Sequence, residues 1–152
     1  MGESGPLVLL RRAVYTALLL LALHAVAAHA QTDRSLVDAA KQQDWATVQG
    51  LLKSRKANVN ATQPDGATAL AWAAYWDNAD TAKRLLRAKA NPNIANDYGV
   101  TPLLLAIRNR NPEMVKLLLK GDADPNAALW SGEKPLMAAA RNGDLDILSA
   151  LL

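Results

Sequence analysis

The chain has 152 residues, 51% of them hydrophobic and 20% charged, and 17 basic against 14 acidic residues give a formal net charge of +3. This composition is typical of one globular domain. The sequence contains no cysteine, and its two histidines, His24 and His29, both lie in an apolar N-terminal stretch. Outside that stretch the chain cannot form disulfides, Cys/His zinc sites, cysteine nucleophiles or Ser-His-Asp triads, because each needs a thiol or an imidazole.

The N-terminal stretch predicts a cleavable signal peptide over residues 1–30. Arg11 and Arg12 precede an uncharged segment that is rich in leucine and alanine. Positive charge followed by a short apolar core is typical of an export signal. The Ala-His-Ala sequence ending at Ala30 offers small residues at both positions that signal peptidase recognises, so we expect the mature chain to begin at Gln31. The alternative is an uncleaved membrane anchor, although 18 uncharged residues fall short of the roughly 20 that span a bilayer.

Export implies a periplasmic or secreted protein. The chain has no cysteine for lipid attachment, so we expect no stable membrane insertion once the leader is cut. Removing Glu3, Arg11 and Arg12 reduces the 17 basic and 14 acidic residues to 15 and 13, a net charge of +2. So small an excess argues against nucleic acid or another strongly anionic partner.

The remainder, residues 31–152, is a repeat domain. Gly66, Gly99 and Gly132 recur at one constant interval, and alanines recur nine residues before each of them. A sustained period of this length predicts a stacked solenoid. The predicted units are residues 34–65, 66–98, 99–131 and a partial unit 132–152.

The third unit shows how each repeat is expected to fold. Thr101 is a good N-cap, and Pro102 stands at the first helical position, where its missing N–H costs nothing. A second helix is predicted from near Pro112, with apolar residues on one side and charged residues on the other. Residues 123–132 are rich in turn formers and project as a finger toward the next unit. The sequence therefore predicts an all-α solenoid of helix-turn-helix units with projecting finger loops.

These units resemble ankyrin repeats. The Gly-Val-Thr-Pro-Leu sequence around Thr101 matches the family's G-x-T-P-L signature, and the Ala-Asp-Pro-Asn-Ala sequence around Asn126 matches its G-A-D-x-N-A loop. The resemblance covers residues 34–152 and implies the ankyrin fold. Together with the predicted leader, it makes the chain similar to exported, signal-peptide-bearing ankyrin-repeat proteins of bacteria.

The sequence departs from the family's pattern in several places. The histidine that usually follows Thr-Pro-Leu is replaced, so we expect apolar packing at Ala71, Leu104 and Met137. A loop position usually held by glycine carries a side chain, and a left-handed backbone would cost on the order of 1 kcal/mol at Lys56, Lys89 and Asp122. The first unit also holds one extra residue, between Leu52 and Ala57. The fourth unit stops in mid-repeat without a polar cap, which suggests a fragment of a longer repeat protein or an end covered by a partner.

The resemblance also implies a partner-binding surface, formed by the finger tips and the outward ends of the first helices. Four of the seven aromatic residues fall on this concave track, and large amphipathic rings are typical of binding hot spots. The alternative is that these rings pack on adjacent fingers and stiffen the stack. The candidate binding residues are Asp65, Tyr75, Trp76, Asp97, Tyr98, Arg108, Asn109, Trp130, Glu133 and Arg141.

Other conspicuous residues have structural interpretations. Trp45 and Trp72 occupy helical apolar positions typical of a core. The basic residues on and after the second helices indicate a solvated outer face, with an acidic lipid or polymer as the alternative use. Asn60 aligns with Asn93 and Asn126 as a loop-forming residue. Close aspartate pairs lack the further oxygen ligands of a calcium site.

The sequence thus predicts an exported scaffold that mediates protein–protein interaction, with an unidentified protein or peptide as partner. It predicts no catalytic residues, no cofactor and no metal, and a chain that is monomeric or continued by further repeats. Two alternatives stay open. The chain could be the non-catalytic repeat portion of a longer exported enzyme or accessory protein, or a membrane-tethered structural protein of the envelope.

Overall fold

The structure is a computed structural model that describes residues 14–17 and 36–152. Residues 14–17 are helical and exposed. The rest of the predicted signal peptide, with its cleavage after Ala30, lies outside the described residues. Among the helices that are described, none combines the length and the apolar character needed to cross a membrane.

The repeat domain is built of helices that follow one another in antiparallel pairs. Within residues 36–152 the β structure is limited to an isolated antiparallel bridge between Thr62 and Thr68. The predicted all-α solenoid is therefore confirmed. Its helices are α1 (residues 36–41), α2 (Trp45–Ser54), α3 (Ala69–Tyr75), α4 (Ala79–Arg87), α5 (Pro102–Arg108), α6 (Pro112–Lys120), α7 (Pro135–Asn142) and α8 (Leu145–Leu151).

Threonine side chains cap the start of α3 and α5, which are the first helices of their pairs. Thr68 and Thr101 accept hydrogen bonds from the backbone N–H groups of Ala71 and Leu104, at 3.1 and 3.3 Å. Each satisfies one of the donors that a helix N-terminus leaves without an intrahelical partner. The equivalent residue of α7 is Lys134, which makes no side-chain capping bond.

The second helices are capped by Asp44, Asn78, Asn111 and Asp144. The Asp44 carboxylate accepts from the Thr47 hydroxyl at 2.6 Å and from its backbone N–H at 3.1 Å. These two bonds stabilise the charged form and lower the pKa of Asp44 from its ordinary value, the hydroxyl having the larger effect.

One continuous core runs through the stack. Small residues on the first helices, among them Ala73, Ala106 and Ala139, are fully buried, so neighbouring first helices can approach closely. The second helices bury Leu85, Leu118 and Ile147 from the opposite side. α3 packs on α5 and α5 packs on α7, so each pair buries its apolar surface against the next.

Asparagine side chains join one repeat to the next outside this core. Asn93 Oδ1 accepts from the backbone N–H of Asp124 at 2.7 Å, while its Nδ2 donates to the carbonyl of Asp122 at 2.8 Å. One repeat earlier, Asn60 makes the same two bonds to Asn91 and Lys89, at 2.7 and 3.4 Å. The predicted loop-forming role of Asn60 is confirmed, and its physical basis is a bond between repeats.

Two details of the sequence prediction need correction. The left-handed residues that end the second helices are Lys89 and Asp122 as expected, but in the first repeat the residue is Arg55, at φ 54°, and not Lys56. The extra residue of that repeat follows the left-handed position instead of preceding it. Leu104, at a position where the family usually has histidine, is buried as expected. Met137 at the equivalent position of the fourth unit is 59% exposed, so the expected apolar packing is absent there.

The fingers are short hairpins that touch one another. In the finger between the second and third units, the N–H of Asn96 donates to the carbonyl of Val100 at 3.1 Å, and the N–H of Asp97 donates to the carbonyl of Asp65 in the preceding finger at 2.9 Å. Gly66 turns its finger at φ 82°, and a Cβ built there would lie only 3.0 Å from the Asn96 Cα. Glycine is therefore required both by the turn and by the contact between fingers.

This geometry predicts different costs at two glycines with the same backbone angle. Gly132 also has φ 82°, but a Cβ there would meet nothing within 4 Å among the described residues. Gly132→Ala should lower the free energy of unfolding by about 1 kcal/mol, from left-handed strain alone. Gly66→Ala should cost a further ~1 kcal/mol or more, because the neighbouring finger must move. Urea denaturation measures both, and equal losses would contradict a close contact between the fingers.

The uncapped α7 predicts a stabilising substitution. Lys134→Thr supplies the hydroxyl that Thr68 and Thr101 use in the equivalent helices, and it should raise the free energy of unfolding by about 1 kcal/mol. Thr101→Ala, which removes a formed cap, should lower it by a similar amount. Thermal and urea unfolding provide the measurement, and no gain in the Lys134→Thr variant would show that α7 is capped by other means.

Candidate partner-binding groove

A groove of about 630 Å³ lies between the fingers and the first helices. We call it the aromatic groove. Its floor and walls include Ala71 and Trp72 on α3, Leu105 on α5 and Leu129 in the last finger. Of the residues predicted from the sequence, the groove brings together Asp65, Tyr75, Tyr98, Arg108 and Trp130.

The fingers carry the most exposed rings of the groove. Tyr98 is 71% exposed and Trp130 is 79% exposed. Tyr98 occupies the same register as Asp65 and Ser131, one repeat period away on either side, and all three line the groove. The repeat therefore delivers one variable side chain per finger to the same surface.

Trp130 has a feature expected from each hypothesis for the finger aromatics, contact with an adjacent finger and exposure to a partner. A Cβ built on Gly99 would lie 3.1 Å from Trp130 Cδ1, so the indole rests against the neighbouring finger. Most of its surface nevertheless faces solvent. The ring is held in place by the stack and remains available for contact.

Ring contacts run from Trp72 and Tyr75 in the groove to Trp76, which lies outside its lining. Trp72 and Tyr75 meet edge to face at 5.6 Å between centroids, and Tyr75 meets Trp76 in the same way at 4.7 Å. Lys41 Nζ lies 5.4 Å from the centroid of the Trp72 ring. Edge-to-face pairs and cation–π contacts of this kind restrict how the rings move.

Trp72 is also fixed by hydrogen bonds. Its Nε1 donates to Gln63 Oε1 at 3.1 Å, and Gln63 Nε2 donates to Asp38 Oδ1 at 2.7 Å. The Trp72 ring both packs against the core and lines the groove. Trp45, in the first repeat, packs against the core as expected. The structural role expected for Trp72 is therefore accompanied by a place in the candidate site.

Two predicted binding residues instead connect the repeats. Asn109 Nδ2 donates to the carbonyls of Ala74 and Tyr75, at 3.1 and 2.8 Å, and to Asp77 Oδ1 at 3.1 Å. Trp76 Nε1 donates to the carbonyl of Lys41 at 3.2 Å. Both side chains donate to carbonyls at the end of a preceding first helix, where the last carbonyls have no intrahelical partner.

Asn142 makes the equivalent bond one repeat later, from its Nδ2 to the carbonyl of Ile107 at 3.0 Å. Trp76, Asn109 and Asn142 each stand at the close of a first helix, so this position is an inter-repeat donor throughout the described stack. For Asn109 the structure shows this inter-repeat role, and its predicted role in partner binding stays a prediction.

The remaining predicted residues adjoin the aromatic groove but do not line it. Asp97 contributes its backbone N–H to the contact between fingers. Glu133 and Arg141 form an ion pair with each other at an adjoining concavity of about 450 Å³, which also includes Met137 and shares Ser131 with the aromatic groove.

Register explains which groove residues the sequence analysis missed. Leu105 stands one repeat period after Trp72, and Leu129 stands one repeat period after Asn96, and all four line the groove. Applying the repeat period to every position of the first helix and the finger base, instead of to the finger tips and helix ends, would have found them.

The lining of the groove holds few charged groups. Aliphatic and aromatic surface predominates, with the Asp65 carboxylate and the Arg108 guanidinium as its charged groups. Within the described residues, no three His, Cys, Asp or Glu side chains come together as metal ligands. The aspartates that form close pairs in the sequence serve the backbone: Asp144 caps α8, and Asp124 accepts from the N–H of Asn126 at 2.9 Å.

Comparison with known proteins agrees with this geometry. The family model described as ankyrin repeats (3 copies) matches residues 36–128, which is more than half of the chain. No curated protein matches the sequence. Ankyrin repeats generally mediate protein–protein interaction, and domains built from them are typically non-catalytic. Period, caps, fingers and family match agree, and the chain belongs to the ankyrin-repeat family.

Proposed function

We propose that this protein is an exported ankyrin-repeat scaffold that binds a segment of another protein in the aromatic groove. The observation that carries the proposal is the convergence of exposed rings from different repeats, Tyr75, Tyr98 and Trp130, on one mostly apolar groove. Exposed apolar surface of this kind is uncommon on a soluble protein unless a partner covers it.

The size and lining of the groove favour apolar side chains of the partner. Its volume of about 630 Å³ falls within the range of sites that enclose most of a small ligand, and a short peptide segment can place a few side chains in such a space. Asp65 and Arg108 supply opposite charges within the lining. These two groups give direction to a segment that carries complementary charges.

The groove is also ordered before any partner arrives. The bond between Asp97 and Asp65 links two fingers, and Asn109 fixes the end of α3 against the next repeat. Side chains and loops that are already ordered lose less entropy on binding, so more of the contact energy contributes to affinity.

The groove residues predict a separation between binding and stability. Tyr98→Ala and Trp130→Ala should each weaken binding of a peptide selected by display against the protein roughly tenfold or more, since buried aromatic anchors dominate interface energies. Their unfolding temperatures should stay close to that of the parent. Isothermal titration calorimetry and thermal unfolding measure the two quantities.

The matched control is Leu145→Ala, which removes an equally exposed apolar side chain, 78% accessible, from α8 and outside the groove. Its affinity for the peptide should be unchanged. Aromatic variants that lose stability but keep affinity would assign the rings to stiffening the stack and overturn the proposed site.

The export part of the proposal rests on the N-terminal sequence. Two arginines, an uncharged segment and the Ala-His-Ala sequence before Gln31 have the order of a signal peptide. A repeat domain free of cysteine folds without the disulfide chemistry of the exported environment. We therefore place the scaffold in the periplasm or outside the cell.

Export predicts a defined mature protein. Intact mass measurement after expression of the full chain should give a product that begins at Gln31 and occurs in the soluble exported fraction. Replacing both Ala28 and Ala30 with bulky residues should block processing, because signal peptidase requires small side chains there. A product that keeps Met1 and sediments with membranes would instead favour a tethered envelope protein.

A further inference from the structure

The outer side of the stack carries two adjoining concavities of about 650 and 610 Å³, which we together call the basic groove. The first lies between the ends of α2 and α4, and the second between the ends of α4 and α6. Arg87 and Lys89 line both, so the two concavities are continuous. None of the residues of the basic groove lines the aromatic groove.

The lining of the basic groove is strongly positive. The first concavity includes Lys53, Arg55, Arg84, Arg87 and Lys89 and no carboxylate. The second adds Lys83 and Lys120 to the shared pair and includes one carboxylate, that of Asp122. The ion pair found within the described residues, between Arg141 and Glu133, lies elsewhere, so these seven cations have no ionic partner in that part of the chain.

Helix polarity accounts for part of this arrangement. Basic side chains are favoured in the last turn of a helix and acidic ones in the first. α4 has Asp80 in its first turn and Arg84 and Arg87 in its last, and α6 has Glu113 in its first turn and Lys120 in its last. Because the second helices run in the same direction, their acids gather at one edge and their bases at the other. Arg55 and Lys89 lie beyond the helices and add charge that helix polarity does not require.

This segregation limits what the overall charge says about partners. The net charge of +2 expected after removal of the leader argues against a strongly anionic partner only if the charges are mixed over the surface. Here seven cations and one carboxylate share one continuous concavity, and neighbouring charges reinforce one another within a Debye length of about 10 Å.

The floor of the basic groove is aliphatic. Leu52 and Val59 contribute to the first concavity, and Leu86 and Leu117 to the second, all of them partly exposed. A ligand that fills the groove therefore meets apolar surface below and cations around it. We propose that the basic groove binds an acidic peptide segment that also carries aliphatic side chains.

The same features disfavour two other anionic partners. Neither concavity is lined by an aromatic ring, so the bases of a nucleic acid would find nothing to stack on. The large exposed apolar side chains of the described residues, such as Leu145, lie outside the basic groove. A membrane surface would thus find a concave patch without apolar anchors, whereas a peptide chain can follow the concavity.

Binding of a labelled peptide tests the proposal. The probe is a fluorescein-labelled peptide of glutamate and leucine residues, and the comparison peptide has lysine in place of glutamate. Fluorescence anisotropy with the mature chain should show binding of the acidic peptide that weakens as salt is raised, and no binding of the basic one. Absence of binding by the acidic peptide at low salt would overturn the proposal.

Charge-matched variants separate the groove from overall charge. Arg87→Gln together with Lys89→Gln should weaken binding roughly three- to tenfold, as expected for two exposed ion pairs. Lys116→Gln together with Lys134→Gln removes the same charge from exposed positions outside the groove and should leave affinity unchanged. Equal losses in both double variants would show that overall charge, and not the groove, attracts the peptide.

Two further measurements distinguish the competing partners. Vesicles containing phosphatidylglycerol and a single-stranded DNA oligonucleotide should bind more weakly than the acidic peptide, and tighter binding of either would overturn the choice of a peptide. Tyr98→Ala should leave acidic peptide binding intact, because the aromatic groove is separate. Failure of the aromatic groove as a binding site would therefore not affect this result.

Discussion

The structure depends on polar bonds that cross from one repeat to the next. A pair of short helices leaves carbonyls without partners at its helix ends and buries too little apolar surface to be stable alone. Asn60 and Asn93 bond to the loop of the following repeat, while Trp76, Asn109 and Asn142 bond back to the preceding one. Each unit therefore forms hydrogen bonds with the units on both sides of it. These bonds fix the spacing at which the alanine-rich first helices pack.

The two grooves are consequences of that spacing. On one side the fingers come close enough for Asp97 to bond to Asp65, and the rings of several repeats then share one surface. On the other side the second helices end side by side, and their last-turn cations accumulate. One repeat thus contributes an apolar contact to one face and positive charge to the other. The two proposed sites share no lining residue, so occupation of one leaves the lining of the other free.

The fold was predictable because its signals are periodic and local. The spacing of Gly66, Gly99 and Gly132, the threonine caps and the prolines at first helical positions all act within one repeat. The candidate site was predictable only in part. Register identified Tyr98 and Trp130, but it could not show that the amide of Asn109 reaches the carbonyls of Ala74 and Tyr75. That contact depends on the distance between repeats. The left-handed residue was misplaced to Lys56 for a similar reason, because a sequence does not show on which side of a turn an extra residue is accommodated.

The recurring donors at the close of each first helix have a consequence for how such a stack can grow or shrink. Trp76 and Asn109 differ in shape, yet each delivers an N–H to the same place in the unit before it. A duplicated or deleted unit would present the same donor and the same acceptors at its new junctions. The number of repeats can therefore vary by whole units without changes in the residues that form the hydrogen bonds between units. The finger and helix positions facing the grooves are left to diversify from copy to copy.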